Sequence, residues 1–305
     1  MALTLASAAR LLSEHGLLRE IIQGDAWTLD AQTVNGFDKP FGSITYDTRQ
    51  VVSDTLLCCK GRFKAEYLNG IDDRGLAAYV AGNDFSAATK APGLIVNDAR
   101  KAMSLLSAAF YGYPQNQLKV IGITGTKGKT TTTYMVKSIL ENAGYKVGLI
   151  GTIEAIIGEK HIPAANTTPE SYMVQKYFHD MVEAGCDAVV MEVSSQGLML
   201  HRTAGIPFEI GIFTNIEPDH IGPNEHTSFE HYLSCKKMLL RQCRIGIVNR
   251  DDEHYEKIID GHTCSLETYG FSPEADLRAV NPELLTKKGV LGISYDLQGL
   301  LNFPV

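Results

Sequence analysis

Gly125-Thr126-Lys127-Gly128-Lys129-Thr130-Thr131 is the segment whose residue types and spacing point most directly to chemistry. It follows an apolar strand-like run, Leu118 to Ile123, and opens a stretch with helical periodicity at Tyr134, Met135, Ile139 and Leu140. A strand, a glycine turn and then Lys-Thr at a helix start is the layout of a phosphate-binding loop. Glycines let the backbone wrap phosphates, so N–H groups at the helix start meet negative charge. In such a loop Lys129 reaches the β- and γ-phosphates and the Thr130 hydroxyl binds Mg²⁺. The common form has Gly five residues before Gly128; here that position is Ile123, with glycines at Gly122 and Gly125 instead. The expected ligand is a nucleoside triphosphate.

Further candidates follow strands. Ala188 to Met191 runs into Glu192 and then Val193-Ser194-Ser195. An acidic residue at the end of a buried strand is where nucleotide-binding folds place a Mg²⁺-associated carboxylate. Phe213-Thr214-Asn215-Ile216-Glu217-Pro218-Asp219-His220 is again a strand followed by a polar turn. His220 can ligate a metal through a neutral ring nitrogen, although a lone His after a strand is more often structural. On a helical wheel Phe229, Tyr232, Leu233, Leu239 and Leu240 share a face, with Lys236 near its middle and Lys237 toward its edge. A lysine in an apolar stripe must snorkel, pair or be modified, because an unpaired buried ammonium is costly. Snorkelling is the ordinary solution.

The elements that must position these residues fall into two groups. A helix is expected over Leu3 to Leu12 and another over Ala102 to Phe110. Short strands are expected at Ser43 to Tyr46, Thr55 to Cys59, Ala77 to Val80 and Leu94 to Val96. The polar Pro114-Gln115-Asn116-Gln117 marks a boundary, giving domains 1–117 and 118–305. From Leu118 the pattern alternates. Apolar runs at Lys146 to Ile150, Ala188 to Met191, Ile210 to Phe213 and Ile245 to Val248 are interleaved with helices such as Ser171 to Ala184 and Phe229 to Arg241. This predicts an α/β fold with a parallel sheet covered on both faces, and ligands at the carboxyl ends of its strands.

Composition narrows the classes. The chain has 305 residues, 44% hydrophobic, and a net charge of −7, which disfavours nonspecific nucleic-acid binding. Anionic substrates must be met by local cations. The six cysteines form no C-x-x-C pair, so neither a zinc ribbon nor a disulfide framework is indicated. With no signal-like opening and no apolar run of spanning length, the chain reads as cytoplasmic, without membrane insertion.

Taken in order, Gly125 to Thr131, Asn166-Thr167-Thr168-Pro169-Glu170, Glu192-Val193-Ser194-Ser195, Thr214-Asn215 and Asp219-His220 resemble the Mur ligases, and more narrowly the MurE type. Asp47-Thr48-Arg49 resembles the Asp-Ser-Arg motif of the family's UDP-binding domain, and Asn249-Arg250-Asp251-Asp252 its Asn-x-Asp-Asp. The resemblance implies an N-terminal α/β UDP-substrate domain and a P-loop-type central domain. It also implies ATP-dependent amide formation. ATP phosphorylates UDP-N-acetylmuramoyl-L-Ala-D-Glu, and an amino acid of the lysine or diaminopimelate class attacks the acyl phosphate, in peptidoglycan synthesis.

By the same resemblance Gly125, Thr126, Lys127, Gly128, Lys129, Thr130 and Thr131 bind ATP, and Thr130, Glu192, His220 and Lys236 hold Mg²⁺. Lys236 does so as N6-carboxylysine, a carbamate made with CO₂. Lys129, Glu192, His220 and Lys236 are the catalytic set, while Thr48, Arg49, Asn166, Thr167, Thr168, Ser194 and Arg202 contact the UDP-muramoyl dipeptide. Gln196 replaces a His common in relatives, and Cys58-Cys59-Lys60-Gly61 replaces a Phe-Val-Ala-type strand. The family continues with Phe-Asn-x-x-Asn and a third domain, for which these residues offer no match. The central domain is therefore expected to be C-terminally incomplete and the chain alone a poor ligase. The alternative is a non-catalytic paralogue that binds UDP-muramoyl peptide or nucleotide. A folate polyglutamylating enzyme is disfavoured by Asn166 to Glu170, and an amidotransferase relative by the missing C-x-x-C pairs.

Overall fold

The computed structural model describes residues 2–223, 225–287 and 289–305. The chain forms two compact units, Met1–Gln117 with Pro169–Ala184 and Leu200–Gly205, and Leu118–Thr168 with Gly185–Met199 and Ile206–Val305. The second unit thus lends two segments to the first, an exchange that no composition shift along the chain marks.

The first unit opens with α1 (Leu5–Glu14), begun by a capping box in which Thr4 and Ser7 satisfy each other's backbone N–H groups. It continues through β1 (Leu18–Gln23), β2 (Ala26–Thr28), β3 (Ser43–Thr45), β4 (Thr55–Cys59), β5 (Leu76–Ala81) and β6 (Gly93–Val96), and then α2 (Ala99–Phe110). The strand order is β2-β1-β6-β5-β4-β3, with β3 to β6 parallel and β1 antiparallel to β6. Side chains of β4 alternate between two cores, Leu56 and Cys58 on one face and Leu57 and Cys59 on the other. A sheet buried on both faces accommodates the unusual Cys-Cys pair as two small hydrophobes. Burial pushes the Cys58 thiol up to about 12.

The second unit contains β7 (Lys119–Thr124), α3 (Lys129–Asn142), β8 (Val147–Ile150), β9 (Glu154–Ile157) and β10 (Lys160–Pro163). The chain passes through α4 (Ser171–Glu183), which belongs to the first unit. It then runs through β11 (Ala188–Glu192), α5 (Ser195–Met199), β12 (Phe208–Phe213), α6 (Phe229–Lys237), β13 (Cys243–Asn249) and α7 (Tyr255–Ile259). Last come β14 (Ser265–Gly270), β15 (Leu277–Lys287), β16 (Val290–Gly299) and β17 (Phe303–Pro304). The sheet order is β10-β9-β8-β11-β7-β12-β13-β14-β15-β16-β17.

Strands β8 through β15 in that order are parallel, which the apolar runs predict for β8, β11, β7, β12 and β13. The antiparallel edge strands β9, β10, β15 and β16 are not among the expected elements, whereas β17 falls within Leu300 to Val305, a run that reads as a strand. β9 is a short buried run, Ala155 to Ile157, while β10, β15 and β16 mix polar and apolar residues. Ile121, Ile123, Val147, Ala188 and Val190 form the core on which Val136 and Leu140 of α3 pack.

Register decides where the strand ends fall. Ile123 of β7 pairs with Glu192 of β11, and Thr124 with Phe213 of β12. The loop after β7 therefore emerges between Glu192 on one side and Thr214 on the other. No helix among the described residues is long and apolar enough to cross a membrane.

Gly122 keeps β7 tightly packed. A Cβ there would sit 2.7 Å from the Phe208 ring and 3.0 Å from Leu239. Gly122→Ala is expected to lower stability by about 1–3 kcal/mol, the usual cost of overpacking. Urea unfolding followed by circular dichroism checks this; an unchanged midpoint would refute the tight packing.

Candidate active site

The loop between β7 and α3 is shaped by two glycines. Gly125 has φ +148°, and a Cβ on it would lie 2.0 Å from Thr214 Oγ1; Gly128 has φ +81°. Gly125, not a residue at position 123, provides the close backbone approach, while Ile123 is fully buried in the core. Lys129, Thr130 and Thr131 form the first turn of the fourteen-residue α3, which has no acidic residue there and no side-chain cap from Gly128. Its first N–H groups face the loop, as an anion site requires.

The turn after β12 pins this loop. Lys127 N–H donates to Asn215 Oδ1 at 2.9 Å, and Thr126 N–H donates to the Asn215 carbonyl at 3.0 Å. Thr214 Oγ1 and Asn215 Nδ2 both donate to the Lys127 carbonyl, at 2.9 and 3.1 Å. Lys127 Nζ also pairs with Glu217 at 2.6 Å, an exposed contact. Asp252 of the Asn-x-Asp-Asp motif accepts from Ile216 N–H at 2.8 Å and so holds the same turn from behind.

On the other side lies Glu192, 0% exposed. Its Oε1 accepts from Thr130 Oγ1 and from Thr152 N–H, both at 2.9 Å, and its Oε2 accepts from Thr152 Oγ1 at 3.0 Å. Gly151 makes room for it, since a Cβ there would meet Glu192 Oε1 at 2.7 Å. The sequence motifs do not contain Thr152. Its place follows from the pairing of β8 with β11, and a lone Thr after a strand carries no pattern.

Thr168 Oγ1 donates to the Glu192 carbonyl at 2.8 Å and accepts from Ser194 N–H at 2.9 Å. Thr167 Oγ1 lies 3.1 Å from Thr152 Oγ1, and Ser194 Oγ accepts from Gly197 N–H at 3.0 Å. Thr167, Thr168 and Ser194 therefore converge on Glu192, whereas Asn166 is exposed beside them.

Lys236 does not snorkel. It is 2% exposed, and its Nζ donates to the Gly125 carbonyl at 2.6 Å and lies 4.8 Å from the centre of the Tyr232 ring. The Tyr232 hydroxyl in turn lies 3.1 Å from Thr126 Oγ1. Lys129 folds over the same loop, donating to the carbonyls of Gly125 at 3.0 Å and Thr126 at 3.1 Å. Burial, reinforced by the Lys129 charge, pulls the Lys236 amine down to about 7, and burial also lowers Lys129. Lys237 pairs with Asp260 at 3.0 Å, on the helix edge as its position predicts. The helix itself is shorter than expected, because Met238–Arg241 tightens into a 3-10 turn. His220, at φ +53°, lies with its ring centre 6.0 Å from that of Tyr232, and its Nδ1 is 3.3 Å from Glu225.

The remaining candidates belong to the first unit. Thr48 and Arg49 lie in a 3-10 turn capped by Asp47, and the Arg49 side chain is 87% exposed and paired with Asp47 at 2.6 Å. Arg202 is half of a largely buried pair with Glu170, at 2.9 Å. Lys60 at 3.2 Å and Arg100 at 3.9 Å share that carboxylate, so three cations face one anion. Neither Lys60 nor Arg100 stands in a recognisable motif. Local positive charge therefore exceeds negative charge around Glu170.

The lowered Lys236 amine has a pH signature. Between about 7 and 10.5 the unfolded chain holds a proton that the folded site does not, so stability rises with pH across that window. Below about 7 the full penalty of burying the ammonium remains. Relative to Lys236→Met, the native protein is expected to gain up to about 1.4 kcal/mol per pH unit within the window. Parallel pH-dependent urea unfolding of the two proteins measures this; matching slopes would exclude a depressed Lys236.

Comparison with known proteins agrees with this geometry. The chain is 55% identical over 256 residues to the UDP-N-acetylmuramyl-tripeptide synthetase of Bifidobacterium longum, covering 83% of this chain and 50% of that protein. It is 42% identical to UDP-N-acetylmuramoyl-L-alanyl-D-glutamate--2,6-diaminopimelate ligase 1 of Clostridium acetobutylicum, over 84% of this chain and 52% of that one. It is 39% identical to the L-lysine ligase of the same name class from Streptococcus pneumoniae, over 96% and 60%. The chain thus spans about half the length of the curated relatives it matches. A solved UDP-N-acetylmuramoyl-L-alanyl-D-glutamate--2,6-diaminopimelate ligase superposes with a TM-score of 0.78 at 20% identity, over all of this chain and 59% of that one, so the fold is shared. The Mur ligase middle domain matches residues 123–297, and with the loop, Glu192 and Thr214 arranged as above, the chain belongs to the Mur ligase family.

Proposed function

We propose that this chain carries the UDP-substrate and ATP-binding portion of a MurE-type ligase, which joins a third amino acid to UDP-N-acetylmuramoyl-L-Ala-D-Glu at the expense of ATP. The observation that carries the proposal is the buried Thr130–Glu192 contact beside a glycine loop onto which Lys129 and Lys236 both fold. Such a reaction brings two polyanions together, and the barrier falls when fixed cations stabilise the charge spreading over the transferring phosphoryl group. The curated relatives include both a diaminopimelate and a lysine ligase, which supports an incoming amino acid of the lysine or diaminopimelate class.

Each residue has a task its environment supports. The N–H groups at the start of α3 and the Gly125–Gly128 backbone would bind the triphosphate. Lys129, now resting on two carbonyls, exchanges those neutral acceptors for phosphate oxygens, a stronger charge-assisted bond. Thr130 and Glu192 offer the hard oxygen donors that Mg²⁺ prefers, and His220 stands near Tyr232 at the same loop. Bound there, Mg²⁺ would neutralise phosphate charge.

The Lys236 pocket fits a modified lysine. An amine near 7 is about half unprotonated at neutral pH, and its free-base form can add to CO₂, releasing a proton and leaving an anionic carbamate. The carbamate would suit a hard cation where the free amine does not. In the first unit, Arg202, Lys60 and Arg100 supply the positive face for the muramoyl-peptide carboxylates, and Thr48 and Arg49 are proposed to contact the uridine diphosphate. Thr167, Thr168 and Ser194 are proposed to orient the peptide end beside the site.

Two measurements test this reading. Calorimetric titration with MgATP is expected to give saturable binding, weakened at least tenfold in Lys129→Ala. Carbon-13 bicarbonate is expected to give a carbamate resonance that Lys236→Ala removes while ATP affinity changes little. Failure of the native chain to bind MgATP would refute the nucleotide assignment, and absence of the carbamate signal would remove the modified lysine alone.

A further inference from the structure

Among the described residues, His226, His231 and Cys235 form a separate group in which one donor atom from each lies within 4.8 Å of the others. His231 and Cys235 are four residues apart on α6 and so share a face. Ser228 caps that helix, its Oγ accepting from His231 N–H at 3.1 Å, which places His231 in the first turn. His226 precedes the helix and is held by its backbone: its N–H donates to the His220 carbonyl at 3.0 Å, and its carbonyl accepts from Gly222 N–H at 3.1 Å. The two imidazole rings lie 5.1 Å apart, edge to face.

The His226 ring is 0% exposed, and its two nitrogens are treated differently. Nε2 lies 2.8 Å from Ser195 Oγ, whereas the buried Nδ1 has no hydrogen-bond partner among the described residues. A buried polar atom left unpaired is ordinarily costly and calls for an explanation. A metal-binding histidine has this arrangement: one nitrogen is fixed by an outer hydrogen bond and the other is left for the ion.

We propose that His226 Nδ1, a ring nitrogen of His231 and Cys235 Sγ form a site for a thiophilic divalent cation of the zinc class. This inference goes beyond the ligase reading and does not depend on it. Two imidazoles and a sulfur are a borderline-soft donor set, unlike the oxygen set of Thr130 and Glu192. A tetrahedral ion with bonds of about 2.0–2.3 Å needs its donors closer than they now stand, a contraction of about 1 Å. His231 can supply it, because its Nδ1 makes only long contacts, at 3.2 and 3.3 Å, with Thr227. Binding would release the Cys235 thiol proton to solvent and leave a thiolate ligand. Three protein donors leave a fourth position for water or another ligand. Occupancy would clamp α6 to the segment before it, immediately beside Lys236.

Cobalt(II) titration of the intact chain in Mg²⁺-free buffer, followed by absorption, tests the site. The expected result is a thiolate-to-cobalt charge-transfer band with tetrahedral ligand-field bands, erased by stoichiometric Zn²⁺ and untouched by excess Mg²⁺. Cys235→Ser should abolish the charge-transfer band, and Cys186→Ser should keep it. His231→Gln, at a half-buried position that tolerates the change, should weaken Zn²⁺ binding at least tenfold. A native chain without the band, a band surviving Cys235→Ser, or His231→Gln binding Zn²⁺ as tightly as the native chain would overturn the proposal.

Discussion

The parallel register around β7 is the constraint on which the candidate site depends. Pairing Ile123 with Glu192 and Thr124 with Phe213 brings three strand ends to one edge of the sheet. From that edge the loop Gly125–Gly128 meets the Thr214–Glu217 turn on one side and Glu192 on the other. A one-residue slip in either ladder would invert the strand faces and send Glu192 away from Thr130. The core of Ile121, Ile123, Val147, Ala188 and Val190, on which Val136 and Leu140 of α3 pack, holds that register, because the same slip would break this fit. Packing and chemistry are here set by a single alignment.

Two ionisable groups in the interior show what the alignment makes tolerable. Glu192 has no exposed surface, but Thr130 and Thr152 supply three donors to its oxygens, so its charge is solvated by the protein. Among the described residues Lys236 has one hydrogen-bond acceptor, the Gly125 carbonyl, together with the face of Tyr232 and the more distant charge of Asp219. That is too little to hold a full ammonium comfortably, and its proton affinity falls accordingly. An under-solvated lysine beside an anion-binding loop is reactive toward electrophiles in a way that surface lysines are not.

Much of this was legible in the chain. The glycine loop, the acid after β11 and the polar turn after β12 each stand at a strand end, where periodicity and residue type agree. The helical wheel identified Lys236 as anomalous, but snorkelling, its ordinary resolution, fails because the partner carbonyl lies 111 residues away in sequence. The roles of Thr152, Tyr232, Lys60 and Arg100 cannot be read from the chain for the same reason: their importance comes from neighbours that only the fold supplies. The strands β10, β15 and β16 leave little trace in the sequence, because mixed polar and apolar strands lack the continuous apolar runs that mark the parallel core, and the buried run of β9, Ala155 to Ile157, is too short to declare itself. The exchange of 169–184 and 200–205 into the first unit leaves no local trace either, since helix α4 is amphipathic whichever core it joins.

Thr130 and Glu192 meet beneath the glycine loop, and their joint role is central to the candidate site. The most direct measurement is ATP affinity with and without Mg²⁺, in the native chain and in Glu192→Gln. If Glu192 serves the metal, Mg²⁺ should tighten ATP binding in the native chain, and most of that gain should vanish in the variant while metal-free affinity is preserved. An equal Mg²⁺ gain in both proteins would mean that Glu192 only braces Thr130 and Thr152, and the site as described here would be wrong.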